Sequence, residues 1–404
     1  MTTQNVLSRD YILCFFAQIA FQFVFAILLP TLPIYLSRFQ AKEAEIGFLI
    51  GVFSLSSLIL RPIVGSALLH IPERKFMIAG ALVYVVSSVI YLWAPPFWPL
   101  LAVRIFHGIG LALFNTSIYT LLANITPAMH RGQLMSYFYL SGNMATALGP
   151  YFGMALINRY NFVVLFLVCT GLSLCSLFIT LRLGKREIIP LESQPLKIQT
   201  ILCRAALPPS IVAFMLGIIW GTLSAFFPLY ALSHGVSNPG IFFFFLAVTL
   251  ILCRALGGKI LDIYDRKKVL ISCLAAIIIS QGILTFSTTL PMFILVAVVL
   301  GTGWALLHPS LLVYAIESAG SARGPAMGTF TGLADSGMCV GPMIMGLIIQ
   351  RTSYPTMFFC LTLIGVINLL YFYLALGKKG KGADEVVNGR VKREGNAGKN
   401  YENH

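Results

Sequence analysis

The chain has 404 residues, 58% hydrophobic and only 10% charged, with a mean hydropathy of +0.86. Soluble proteins carry about 25% charged residues, so a soluble globular chain is excluded. The net charge of +14 would suggest a nucleic-acid partner, but the basic residues lie between apolar stretches, where they report membrane topology instead.

Apolar stretches of about 20 residues, the length that crosses a bilayer, occupy nearly the whole chain. They predict an all-α polytopic membrane protein with twelve crossings. In chain order the first six are Tyr11–Leu36, Glu45–Leu69, Lys75–Ala94, Trp98–Asn124, Gln133–Ile157 and Phe162–Leu183. The second six are Leu207–Ser233, Pro239–Leu261, Lys268–Ser287, Pro291–Ile316, Gly324–Ile349 and Thr356–Leu376. The first is expected to remain as an anchor, because its apolar run is too long for a cleavable signal and no small-residue cleavage site follows.

Arg38, Lys42, Arg159 and Arg351 fall in loops on one side; Arg74, Lys75, Arg131, Arg182, Lys185, Arg186, Arg266, Lys267, Lys268 and Arg323 fall on the other. The richer side is cytoplasmic by the positive-inside rule, which places both termini in the cytoplasm of a cell membrane, the bacterial inner membrane being expected. The polar interval from Gly184 to Ala206 splits the chain into a six-helix bundle over 1–184, a linker over 185–206 and a second bundle over 207–377. The tail over 378–404 is too poor in apolar residues to bury a core and is expected to be disordered.

Polar residues inside the crossings mark candidate site positions. Gln18 and Gln22 share a face of the first crossing. Arg104, His107, Leu111 and Asn115 are spaced by three, four and four residues on the fourth, a face expected to line a cavity. Asn143 lies in the fifth; Trp220 and Ser224 share a face of the seventh; Trp304 precedes His308 by one turn in the tenth. Asp335, near the middle of the eleventh, is the only Asp or Glu well inside a crossing. A carboxylate at that depth costs several kcal/mol unless paired, protonated or watered, and normally serves a proton, ion or substrate path; the alternative is a neutral Asp that bonds two helices together.

The two halves repeat one another. Arg61, Gly65, Gly108 and Gly110 recur as Arg254, Gly258, Gly301 and Gly303 at an offset of 193, and Asn115 corresponds to His308 at the same offset. Arg131, Gly132, Gly149 and Pro150 recur as Arg323, Gly324, Gly341 and Pro342 at 192, where Asn143 corresponds to Asp335. Six crossings per half make a parallel repeat about an axis along the membrane normal, with the site expected between the halves near the midplane.

With these features the chain resembles the major facilitator superfamily over almost its whole length. The loop motif of that family is matched by Arg254, Gly258, Asp262, Asp265, Arg266 and Lys267, while the first-half copy keeps Arg61, Pro62, Gly65, Arg74 and Lys75 but has Leu69 where the acid belongs. The resemblance implies a gating role for Arg61, Gly65, Arg254, Gly258, Asp262, Arg266 and Lys267. It implies proton coupling at Arg104 and His107, whose segment with Gly108 and Gly110 is similar to the family's proton-transfer motif, alongside Asp335 and His308. Gly149, Pro150 and Gly153, with Gly341 and Pro342, resemble the Gly-Pro packing signature of the drug:proton antiporter branch, although Ala145 stands where a Gly is usual. Gln18, Gln22, Asn115, Asn143, Trp220, Ser224 and Trp304 are then the expected substrate cavity.

The implied activity is proton-coupled efflux of a small organic solute by alternating access, carried out by a monomer in lipid. The alternatives are import of a sugar, carboxylate or other metabolite by symport or facilitation, and a transport-dead sensor or scaffold. No cofactor, metal, enzymatic activity or nucleic-acid partner is expected: the eight Cys residues have no metal-ligand spacing and no Gly-Lys-Ser/Thr phosphate loop is present.

Overall fold

A computed structural model describes residues 8–94, 97–126, 131–184, 203–263, 266–319 and 323–376; within them the side chains of 131–133, 136, 139, 140, 143, 256–263, 266 and 323–325 lie outside the description. The described residues form twelve long α-helices and no strand. They are α1 Arg9–Ser37, α2 Glu43–Ala67, α3 Glu73–Ile90, α4 Trp98–Ile125, α5 Arg131–Arg159, α6 Phe162–Leu181, α7 Leu207–Ser233, α8 Gly240–Ile263, α9 Arg266–Phe286, α10 Leu290–Ser318, α11 Arg323–Arg351 and α12 Tyr354–Tyr371. Every expected crossing is a helix. Nine of the twelve are long and apolar enough, among the described residues, to span a membrane; α3, α5 and α8 fall short, and α3 does so because it opens on Glu73, Arg74 and Lys75.

Helix ends follow local chemistry. Ser8, Asn161 and Ser353 accept from the backbone N–H groups of Tyr11, Val164 and Thr356, satisfying donors that a first turn leaves open. Proline at the first turn starts α4, α7, α10 and α12. α3 ends earlier than expected, at Ile90, because Leu92 and Trp93 bond back three residues to Val89 and Ile90 in a tight turn before Pro95.

The halves are built alike. α1 packs on α5 and α6, α2 on α4, and α3 on α4 and α6; correspondingly α7 packs on α11 and α12, α8 on α10, and α9 on α10 and α12. The repeat-related glycines explain why these pairs sit so close. A Cβ on Gly108 would lie 2.2 Å from the Phe53 carbonyl oxygen of α2, and one on Gly301 would lie 2.8 Å from the Thr249 side chain of α8. Gly110 and Gly303 do the same against the carbonyl oxygens of Gly80 in α3 and Cys273 in α9, at 3.1 and 2.5 Å. In the absence of a hydrophobic force between helices in lipid, such close backbone approach is what holds them together.

The main pairs that join the halves are α2 with α11, α5 with α8 and α1 with α7, and α2 also touches α7. Their tightest points lie toward the face that the charge pattern assigns to the outside. A Cβ on Gly47 would be 2.1 Å from the Pro342 carbonyl oxygen, on Gly51 2.4 Å from that of Cys339, and on Gly346 2.5 Å from that of Glu43. A Cβ on Gly240 of α8 would lie 2.7 Å from the Met154 side chain of α5, and the Tyr151 and Phe244 rings lie 5.2 Å apart. Toward the opposite face the same helices diverge. A Cβ on Gly332 would find only Leu58, at 3.9 Å, and Gly65 and Gly328 meet nothing within 4 Å. The bundle is shut at one face and parted at the other.

Candidate functional site

Between the halves lies a cavity with two adjoining lobes, both continuous with solvent. One of about 990 Å³ is walled by α1, α2, α4 and α5, the other of about 860 Å³ by α7, α8 and α10. Asp335, His308, Trp220, Thr146 and Met338 border both. The single carboxylate at depth therefore sits where the lobes meet.

Asp335 is ion-paired with Arg61 of α2, and both side chains are about a quarter to a third exposed. This is the ion pair, among the described residues, that ties one half to the other. Arg61, expected in a gating motif, lies six residues before the end of α2, far enough inside for its long side chain to reach the cavity. A Cβ on Gly65, one turn on and expected in the same gating motif, would meet open space.

The larger lobe is lined by amides and hydroxyls. Gln18 donates to the Asn115 side-chain oxygen at 3.4 Å, and the Gln18 and Gln22 side-chain oxygens and the Ser57 hydroxyl are buried without a hydrogen-bond partner among the described residues. Buried polar atoms of this kind are costly to leave empty and are normally met by water or a ligand. In the smaller lobe the Trp220 and Trp304 rings stack 5.0 Å apart, tilted by 31°, beside Arg254 and His308. The Arg254 Nε donates to the Ala305 carbonyl oxygen at 3.3 Å, and the His308 ring stands edge-on to Phe330 at 5.4 Å.

The expected cavity face of α4 divides. Leu111 and Asn115 line the cavity, and Tyr119 extends that row by another turn. Arg104 and His107 do not join it. Arg104 is 2% exposed, donates from Nε to the Leu49 carbonyl oxygen at 3.1 Å and from Nη2 to that of Ile50 at 3.5 Å, and lies 4.3 Å over the Phe53 ring. Carbonyl dipoles and a ring face thus stand in for a counter-charge. His107 is fully buried, its Nδ1 3.2 Å from the Tyr91 hydroxyl and its ring 4.0 Å from that of Tyr84. Here α4 is pressed against α2 and α3 by Gly108 and Gly110, so the face leaves the cavity and enters the bundle.

The remaining expectations sort by location. Ser224 is buried in α7 outside both lobes. Gly149 and Gly153 pack on α1, where added Cβ atoms would lie 2.5 Å from Ala26 and 3.0 Å from Ile27 and Thr31; Pro150 is buried between them. Gly341 packs on α7, where an added Cβ would lie 2.6 Å from the Ile218 carbonyl oxygen, and the Pro342 carbonyl closes the α2–α11 seam, so the second copy of the signature serves both packing and closure. Lys267 lies 5.6 Å over the Tyr373 ring. The side chains at Asn143, Gly258, Asp262 and Arg266 lie outside the described residues. Tyr119, Ser57, Thr146 and Met338 line the cavity without having been singled out in the sequence; the usable signal was their spacing of three or four residues from Asn115, Arg61, Asn143 and Asp335.

A family model described as Major Facilitator Superfamily matches residues 14–262 and 240–396. The staphylopine export protein of Staphylococcus aureus is 24% identical over 365 residues, covering 86% of this chain and 91% of that protein. Multidrug resistance protein 1 of Bacillus subtilis is 24% identical over 353 residues, covering 83% and 89%. Among solved structures, the nucleoside transporter NupG superposes with a TM-score of 0.71 at 14% identity over 91% of this chain and 99% of that one. The human organic anion transporter MFSD10 does so with 0.70 at 15% over 92% and 100%. At such identities the structural likeness carries the fold.

Proposed function

The chain belongs to the Major Facilitator Superfamily, and from that premise we propose that this multi-pass membrane transporter exports a small organic solute in exchange for protons. Residues 1–184 and 207–377 act as two bundles that rock about the central cavity, joined by 185–206, with both termini cytoplasmic and 378–404 as a tail. In that orientation the described state is open to the cytoplasm and shut outside.

The observation that carries the reading is the Arg61–Asp335 pair at the junction of the lobes. While Asp335 is ionised, the guanidinium on α2 holds α11; a proton on the carboxyl removes the attraction and leaves Arg61 to turn elsewhere. Proton binding and the inter-bundle tie are therefore mutually exclusive, which is the coupling that a proton-driven carrier requires. Arg104 and His107 hold α2, α3 and α4 in place; His308, which borders both lobes with Asp335, is the second titratable group in the path. Export accords with the name of the staphylopine export protein.

The experiment is flux in liposomes with an imposed pH difference, using a solute found by thermal-shift screening of the purified protein. Asp335→Asn is expected to lose pH-driven flux while remaining folded, and full pH-driven transport by that variant overturns the coupling. The same pair supports one alternative. A solute anion that displaces Asp335 from Arg61 would leave the carboxyl free to take a proton, so solute and proton would travel together as in symport. Setting the pH difference both ways separates the two, because antiport and symport respond to it with opposite sign.

A further inference from the structure

We propose that the solute is an amphipathic organic anion, seated in the smaller lobe with its acidic group on Arg254 and its apolar body on the Trp220–Trp304 pair. This rests on the cavity being the transport site. Arg61 and Arg254 occupy equivalent positions in the two halves, and the repeat pairs Asp335 with Asn143. The arginine on α2 therefore finds a carboxylate on α11, while the arginine on α8 faces a helix, α5, whose matching position carries an uncharged amide.

The structure agrees with that bookkeeping. Arg254 borders the smaller lobe, its described hydrogen bond goes to the Ala305 carbonyl oxygen, and no described acid pairs with it. The nearest acid along α8, Asp262, is two turns farther on, about 12 Å of helix rise. Asp335 borders the same lobe but is engaged by Arg61. With that pair neutral, Arg254 is a surplus cation in a partly desolvated wall, and an arginine so placed is best satisfied by a carboxylate or similar group on its forked face.

The rest of the lobe sets the body of the ligand. Trp220 and Trp304 present a tilted aromatic surface, and Leu216, Phe243, Leu246 and Met338 complete an apolar wall. Such a wall rewards a flat or branched apolar group and rejects a second charge.

The test uses three probes of one shape: 1-naphthaleneacetate, 1-naphthaleneacetamide and 2-(1-naphthyl)ethylamine, carrying negative, zero and positive charge. Equilibrium binding to the full-length protein in nanodiscs is expected to favour the acetate over the amide by about tenfold, with the amine weakest. Arg254→Gln should erase the acetate preference while amide affinity stays within about twofold, and Arg254→Lys should keep part of it. The wild-type comparison needs no variant to fold. Equal binding of the three probes, a preference for the amine, or an acetate preference that survives in Arg254→Gln overturns the proposal. An acetate preference that Arg254→Gln abolishes supports it even if Asp335→Asn retains full pH-driven flux, the result that overturns the coupling reading alone.

Discussion

The two bundles share a packing plan and differ in their charge plan. Gly108 and Gly301, or Gly110 and Gly303, let equivalent helices touch in equivalent ways, but the ionisable positions have diverged. Arg104 and His107 of the first half correspond, at the offset of 193, to Ala297 and Leu300 of the second; Asn115 corresponds to His308, and Asn143 to Asp335 at 192. Backbone contact is a requirement that both halves must meet to fold in lipid, so duplication preserves it. Charge at depth is costly, so each instance is kept only where it has work to do or a partner to meet.

The sharpest way to break this comparison is to remove the acid that makes the halves unequal. Asp335→Asn should reduce pH-driven flux to background, and Arg61→Gln with it should restore stability relative to the single variants. The double-mutant cycle, read by denaturation in detergent, should give a coupling of about 1–3 kcal/mol, below a fully buried pair because both groups are partly wet. Next in size, Arg104→Ala should lower stability by about 2–4 kcal/mol through its lost carbonyl and ring contacts. The pH dependence of the remaining transport should be unchanged; a shifted pH profile would return Arg104 to the proton path.

At the closed face, Gly51→Val would drive side-chain atoms into the Cys339 carbonyl and Met343. Over-packing of about 1–3 kcal/mol shifts the balance of the two states by roughly 5- to 150-fold toward an outside-open form. Labelling of a cysteine introduced in the cavity, from the outer face, would rise accordingly. The smallest effect sharpens the likeness of the halves. Gly108→Ala, whose added Cβ would lie 2.2 Å from the Phe53 carbonyl oxygen, should cost about 1–3 kcal/mol, whereas Gly301→Ala, whose added Cβ would lie 2.8 Å from Thr249, should cost less because the helices there stand farther apart. Equal melting shifts would show that the two interfaces do not differ in spacing.

The fold was legible because a bilayer imposes a length and an apolar content on each crossing, and the duplication could be counted residue by residue. Asp335 stood out for the same reason. Its partner did not. Arg61 was absorbed into a loop motif by its neighbours Pro62 and Gly65, although it lies inside an apolar stretch as Asp335 does; an inventory of every charge at depth, of both signs, would have joined them. Arg104 and His107 were misplaced for another reason. Spacing fixes which residues share a face of α4, but which end of that face meets the cavity depends on how α2 and α3 cross it, and that is set by glycine contacts far away in sequence.

The seam at the closed face is formed at Gly47, Gly51 and Gly346 by main-chain atoms. Main-chain atoms at such short range cannot yield by changing rotamer as the Met343 side chain beside them can, so the backbone part of the joint is either engaged or apart. For the proton exchange proposed above, the consequence of such a joint is a membrane spared a leak while the carrier is idle.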